Sequence, residues 1–193
     1  MENEGIAGLS CRHFDFGEEM RQAAALGEKG PLSGEALRTV LETLKTGALL
    51  EKETFDIAET LFRRFIRIRR GFCEEIVILN GLPRHLDQAV EMDRLVRIER
   101  IVVLKCTARV VLERIRANAG GDRALRDDDT LEEVSRRLER YRTRTRPLIR
   151  YYRRRNLPVI TVEVRKETRP DQIIRTIKST GLFNPQLKGQ KRS

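Results

Sequence analysis

The sequence predicts an α/β fold with a parallel sheet and flanking helices, and three runs of residues carry that prediction. IVIL at 76–79, IVVL at 101–104 and VITV at 159–162 are short, continuous and β-branched, the pattern of strands buried on both faces of a parallel sheet. Helical patterns over about 85–97 and 108–118 lie between them, and strand, helix, strand in that rhythm is a βαβ unit. A length of 193 residues suits one domain with a small insertion.

The remaining elements follow in chain order. Residues 33–46 put Leu37, Val40, Leu41 and Leu44 on one helical face, with Ser33 placed to cap the start and Gly47 just past the end. From Glu53 to Arg70 the pattern repeats through Ile57, Leu61, Phe62, Phe65 and Ile66, with acidic residues early and arginines late, as the helix dipole favours. The Gly- and Asp-rich interval NAGGDRALRDDD at 118–129 reads as a mobile loop before a long Arg-rich helix at about 130–155, in which Pro147 predicts a break or kink near Arg146. Pro170 opens a last helix carrying Ile173, Ile174 and Ile177. The basic tail over 183–193 has no apolar face and is expected to be disordered, which leaves 1–182 as the folded domain.

Composition narrows the class. No run approaches the roughly 18 apolar residues of a membrane helix, and the N-terminus lacks a basic stretch followed by an apolar one, so the chain is read as cytoplasmic. Cys11, Cys73 and Cys106 each lie beside an apolar or aromatic stretch, as small buried hydrophobes do, and suggest neither a disulfide framework nor a zinc cluster. His13 and His85 have no metal-ligand partner at helical spacing; both are expected to be structural, and no metal is assigned to protein ligands. The net charge is +10, and 31 of the 39 basic residues are arginine, whose planar fork matches phosphate. Composition leaves two readings open: basic helices that bind nucleic acid, or arginines converging on the phosphates of a small nucleotide.

In an open parallel sheet ligands bind at the carboxyl ends of strands, which directs attention to NGLPRHLDQ at 80–88. Gly81 lets a ligand approach the backbone and Pro83 stiffens the turn. Arg84 can grip a phosphate with two parallel hydrogen bonds, and Gln88 offers a donor and an acceptor to a base edge. These residues suit a nucleoside monophosphate; a plain β-to-α turn with solvent-facing polar residues is the alternative.

The same stretch resembles the D-G-F-P-R-x-x-x-Q-A element of adenylate kinases. HFDFGEEMR at 13–21 resembles the family's H-I-S-T-G-D-L-L-R, with Phe16 and Glu18 in place of Thr and Asp, and GALLEKE at 47–53 resembles its G-x-L-V-P-D turn. LERIRAN at 112–118 and RDDDTLEEVSRRLERYRTRTRPLIRYY at 126–152 follow the family's L-x-E-R-L and R-x-D-D…R-L-x-x-Y-x-x-x-T-x-P-L-I-x-Y-Y patterns, so the matches span about 13–177. The resemblance implies a P-loop-kinase-like three-layer fold with a helical acceptor-binding insertion at about 22–70 and a short lid at about 118–129. It implies that Arg21 and Arg84 hold the acceptor monophosphate, that Gly81 gives backbone access, that Gly17 belongs to the substrate-binding set, that Leu50 lines the base pocket and that Gln88 reads the base. Arg114, Arg126 and Arg137 would surround the transferring phosphoryl group, with Arg123, Asp128 and Asp129 in the lid. The partners implied are a nucleoside monophosphate, ATP and Mg2+, bound by a monomer.

The chain departs from the family in one large respect. It contains no G-x-x-x-x-G-K-[ST], the loop that cradles donor phosphates, nor the central strand before it, so it is read as N-terminally truncated. Asn80 stands where the family has Asp, and a neutral amide is a weaker partner for a hard dication. A catalytically idle nucleotide-binding protein is therefore the alternative to a nucleoside monophosphate kinase. An RNA-binding protein using the ten arginines of 136–155 carries less weight, because that stretch also matches the kinase pattern. In-frame translation upstream of Met1 is expected to show an apolar strand followed by the phosphate loop; a stop codon within about 40 residues overturns the truncated reading.

Overall fold

The computed structural model describes residues 10–68, 75–117 and 131–181. The chain divides into two compact units, Met1–Arg97 and Ile98–Ser193. Each holds a pair of parallel strands with helices, so the predicted α/β class with parallel strands is what the chain adopts.

In the first unit, β1 (Ser10–Asp15) runs parallel to β2 (Glu75–Asn80), in a register that sets Asp15 opposite Asn80 and ends both strands level. Between them come α1 (Phe16–Leu26), α2 (Gly34–Thr46) and α3 (Phe55–Ile68), and α4 (Leu86–Leu95) follows β2. Strand β1 was not anticipated: Arg12, His13 and Asp15 break up any apolar run, and only Cys11 and Phe14 of the strand are buried. Phe14 nonetheless centres the core, meeting Phe62 and Phe65 edge-on at ring distances of 5.2 and 5.1 Å. Around them pack Met20 and Ala23 of α1, Val40 of α2, Leu61 of α3 and Met92 of α4.

Two helix boundaries and faces differ in detail from the sequence reading. The second predicted helix begins as a 3-10 turn, Lys52–Thr54, and becomes α-helical only at Phe55; Arg69 and Arg70 lie outside the described residues. Leu41 and Ile66, counted on apolar faces, are exposed, because Val40 and the Phe62–Phe65 pair already fill the contact and the next position rotates into solvent. Ser33 occupies the N-cap of α2 without a side-chain hydrogen bond and contributes its carbonyl, which accepts from Leu37. Gly47 ends α2 in the left-handed conformation its sequence position predicts.

In the second unit, β3 (Ile101–Lys105) pairs in parallel with β4 (Val159–Glu163), and Lys105 bonds Glu163 at 3.0 Å where the strands end. Thr107 caps α5 (Ala108–Arg116) by accepting from the Val110 amide. Next come α6 (Leu131–Arg140), a π-helical turn over Tyr141–Thr145, α7 (Pro147–Arg154) and, after β4, α8 (Pro170–Ser179). The break expected near Arg146 takes the form of that π turn. Pro147 has no N–H and its ring crowds the carbonyl four residues back, so the helix widens, Arg146 N–H donating to Tyr141 O at 2.8 Å, and restarts with Pro147 at its first position.

Burial on both faces, expected of all three apolar runs, fails in this unit and is only partial in β2, where Ile76, Val77, Ile78 and Leu79 are all half-buried. Val102 and Leu104 of β3 are exposed, and β4 alternates, with Ile160 and Val162 packed on Ile173 and Ile177 of α8 while Thr161 and Glu163 face out. Among the described residues the strands pair only as β1–β2 and β3–β4. None of the described helices is long and apolar enough to cross a membrane. Replacing Phe14 with Ala is expected to cost about 3–5 kcal/mol, read as a lowered guanidinium midpoint with an unchanged slope.

Candidate functional site

The level ends of β1 and β2 bring Asp15, Gly17, Asn80 and Gly81 together. Asp15 closes β1 and caps α1: its Oδ1 accepts from the Glu18 amide at 2.9 Å. Its Oδ2 accepts from Asn80 Nδ2 at 2.8 Å, tying the two strand ends side to side. Gly17 follows in the first turn of α1, where a β-carbon would sit 3.3 Å from Asp15 Oδ1. Gly81 turns away from β2 with φ of 79°, a conformation L side chains resist. Its missing β-carbon would meet Phe16 Cβ at 3.5 Å, so the two half-buried glycines let the strand ends and the start of α1 pack closely.

Arg21 lies one turn further along α1 and donates to Glu18 Oε2 from Nε and Nη2, at 3.1 and 2.8 Å. Hydrogen bonding from Arg21, then from Gln22, holds the Glu18 carboxyl below its ordinary range. Both partners are about half exposed, so this pair contributes about 0–1 kcal/mol, and the guanidinium can exchange it for an anion.

The turn after β2 is braced from inside. Leu82 is buried and joined to Pro83 by a cis peptide bond, and Arg84 is half-buried. Gln88 is almost fully buried: its Oε1 accepts from the Arg84 amide at 2.7 Å and its Nε2 donates to the Leu50 carbonyl at 2.8 Å. His85 Nε2 donates to the same carbonyl at 2.8 Å, which fixes the proton on that nitrogen because the carbonyl can only accept. Nδ1 of His85 is buried without a hydrogen bond, 3.7 Å from Asp87 Oδ2. The structural part assigned to His85 is thus its observed one, and no group of three or more metal-ligating side chains occurs among the described residues.

Gly17, Arg21, Leu50, Gly81, Arg84 and Gln88 therefore all belong to the first unit. Gln88 keeps one amide hydrogen and one lone pair beyond the protein bonds just described, enough for a single donor–acceptor pair with a base edge. In the second unit Arg114 Nη1 donates to the carbonyls of Arg165, Lys166 and Thr168 at 3.1, 2.9 and 2.8 Å, bracing the loop after β4. That loop and the start of α5 line an open groove of about 550 Å³. Arg137 is half-buried on α6, 4.0 Å from Glu133. Arg123, Arg126, Asp128 and Asp129, with the whole 118–129 interval, lie outside the described residues, as does Cys73. Cys11 is buried as expected but Cys106 is exposed, because β3 has already ended at Lys105 and Cys106 begins the open connection to α5.

Sequence reasoning passed over Asp15. Its signal was legible: an Asp followed three positions later by Glu is a helix-start signature, and Asp15 stands where the motif at 13–21 has Ser. The bracing role of His85 had no sequence signal, because its partner is a backbone carbonyl 35 positions away.

No family model matches the chain. An adenylate kinase of Thermus thermophilus is 36% identical to it over 156 residues, covering 77% of the chain and 73% of that relative. An adenylate kinase of Treponema denticola is 26% identical over 178 residues, 79% of each chain. A uridylate kinase of Saccharomyces cerevisiae is 26% identical over 148 residues, 76% of this chain and 68% of its own. Together with the parallel-stranded fold and the motifs at 13–21, 80–89 and 126–152, these relatives show that the chain belongs to the adenylate kinase family of nucleoside monophosphate kinases.

Gln88→Leu strands the Arg84 amide and leaves Leu50 O with one donor, and is expected to lower stability by about 1–3 kcal/mol, measured by guanidinium denaturation. His85→Gln, which can still donate to Leu50 O, is expected to lose less.

Proposed function

We propose that the strand-end site of the first unit binds a nucleoside monophosphate as phosphoryl acceptor, with MgATP as donor. The observation that carries this reading is the convergence at the ends of β1 and β2: backbone without side chains at Gly17 and Gly81 beside the half-exposed cation of Arg21, with the turn carrying Arg84 held by a buried Gln88. Arg21 and Arg84 take the phosphate, and the free donor and acceptor of Gln88, beside Leu50, take the base. Arg114, Arg126 and Arg137 act on the transferring group, and the 118–129 lid excludes water. Phosphoryl transfer suits such a chain because it relies on positioning and on neutralising spread negative charge, which guanidinium groups supply, rather than on covalent catalysis.

The described residues do not by themselves fit a magnesium ion. The β2 end offers an amide whose nitrogen already donates to Asp15, and both Asp15 oxygens accept protein hydrogen bonds. The ion would enter with the donor nucleotide, whose phosphate-binding loop is not within these 193 residues. The Asn80–Asp15 bond favours a second reading, a protein that binds the monophosphate without transferring to it.

Calorimetric titration of the chain with AMP, GMP, CMP and UMP tests the proposal. Saturable binding of at least one is expected, weakened about 10- to 100-fold by Arg84→Ala or Arg21→Ala, the scale of a charge-assisted hydrogen bond to phosphate. Absence of binding by all four at millimolar concentration sinks the reading. Binding without nucleoside diphosphate formation from MgATP, in protein extended by any in-frame upstream residues, selects the second reading.

A further inference from the structure

We propose that the outer face of α7 is a docking surface for the phosphate backbone of nucleic acid, read without regard to sequence. Arg146, Arg150, Arg153 and Arg154 are all exposed, and none carries an ion pair or side-chain hydrogen bond among the described residues. At 100° per residue these positions fall on one face, and the first and last are about 12 Å apart along the axis. The opposite face holds Leu148 and Tyr152, both buried, and the helix packs on β4. The stripe is therefore fixed to the body of its unit and points away from it.

The chain's own habit elsewhere distinguishes this stripe from an ordinary solvated face. On α1, α3, α4, α5, α6 and α8 an arginine is held by a carboxylate three or four positions away: Arg21 by Glu18, Arg63 by Glu59, Arg94 by Glu91, Arg109 by Glu113, Arg136 by Glu133, Arg175 by Asp171. On α7 that pairing stops. No Asp or Glu occurs between Glu139 and Glu163, although the chain holds 29 acidic residues. Like charges at such spacing repel one another, and a row of backbone phosphates relieves that repulsion while releasing condensed counterions. An anionic bilayer fits less well, since surface-bound helices bury an apolar face in the lipid and the apolar face of α7 is already used internally.

The test is fluorescence anisotropy of labelled U20 and dT20 with the full chain between 50 and 200 mM KCl. Both oligonucleotides are expected to bind with a steep inverse salt dependence. Arg146, Arg150, Arg153 and Arg154, all changed to Gln, should flatten the log–log slope by about 2.8, so that over this range the wild-type affinity falls about fifty-fold more than the variant's. The same four positions changed to Lys should keep the wild-type slope, with circular dichroism melts confirming that both variants fold. A Gln variant with the wild-type slope, a Lys variant that loses it, or arginine-dependent binding to phosphatidylserine vesicles with none to the oligonucleotides overturns the proposal. None of these outcomes depends on the acceptor site.

Discussion

The carbonyl of Leu50 accepts hydrogen bonds from two buried side chains, and the arrangement around the ends of β1 and β2 depends on it. Both donors, His85 Nε2 and Gln88 Nε2, come from the start of α4, while the carbonyl belongs to the segment between α2 and α3. The same Gln88 reaches back to the Arg84 amide, so one side chain joins the helical insertion to the turn after β2. Buried hydrogen bonds of this kind add modestly when made but cost heavily when one member is removed, because the partner is left desolvated. The positions of Arg84 and Gly81 are therefore set by polar contacts that water cannot replace.

Charge at the strand ends follows from the register. Setting Asp15 opposite Asn80 places a carboxylate beside an amide, whereas two carboxylates in those positions would repel. One negative group remains, and it is spent on the α1 N-cap and on Asn80. Arg21 is meanwhile balanced by Glu18, a surface pair loose enough to yield to a more highly charged anion. An acceptor phosphate thus meets a cation already positioned but not deeply committed.

Much of this was legible in the sequence where the signal is local. β2, the turn at 80–84, the helix ends at Gly47 and Pro170 and the disturbance at Pro147 all rest on residues with special backbone behaviour or on continuous apolar runs. What escaped depends on distant partners. β1 lacks an apolar run because only Cys11 and Phe14, on opposite faces, are buried among polar neighbours, and Phe14 is recognisable as a core residue only once Phe62 and Phe65 are beside it. Gln88 reads equally well as a ligand donor or as a brace until Leu50 is known to lie against it. The exposure of Val102 and Leu104 shows the converse limit: a run of β-branched residues specifies a strand, but what covers its faces is decided elsewhere.

The arginine excess, the most conspicuous property of the sequence, separates in the structure into groups that composition could not distinguish. Arg114 commits one guanidinium nitrogen, Nη1, to three carbonyls of a loop. Others neutralise carboxylates one helical turn away and contribute little net charge to their surroundings. Along α7, Arg150, Arg153 and Arg154, with Arg146 just before it, have no such partner among the described residues. That restart matters because an unbroken helix would keep the phase of α6, whereas the π turn inserts an extra residue and rotates everything beyond it. Leu148 and Tyr152 then face inward and the unpaired arginines outward. A proline that the sequence marks only as a break thus determines which way the unpaired arginines of α7 point.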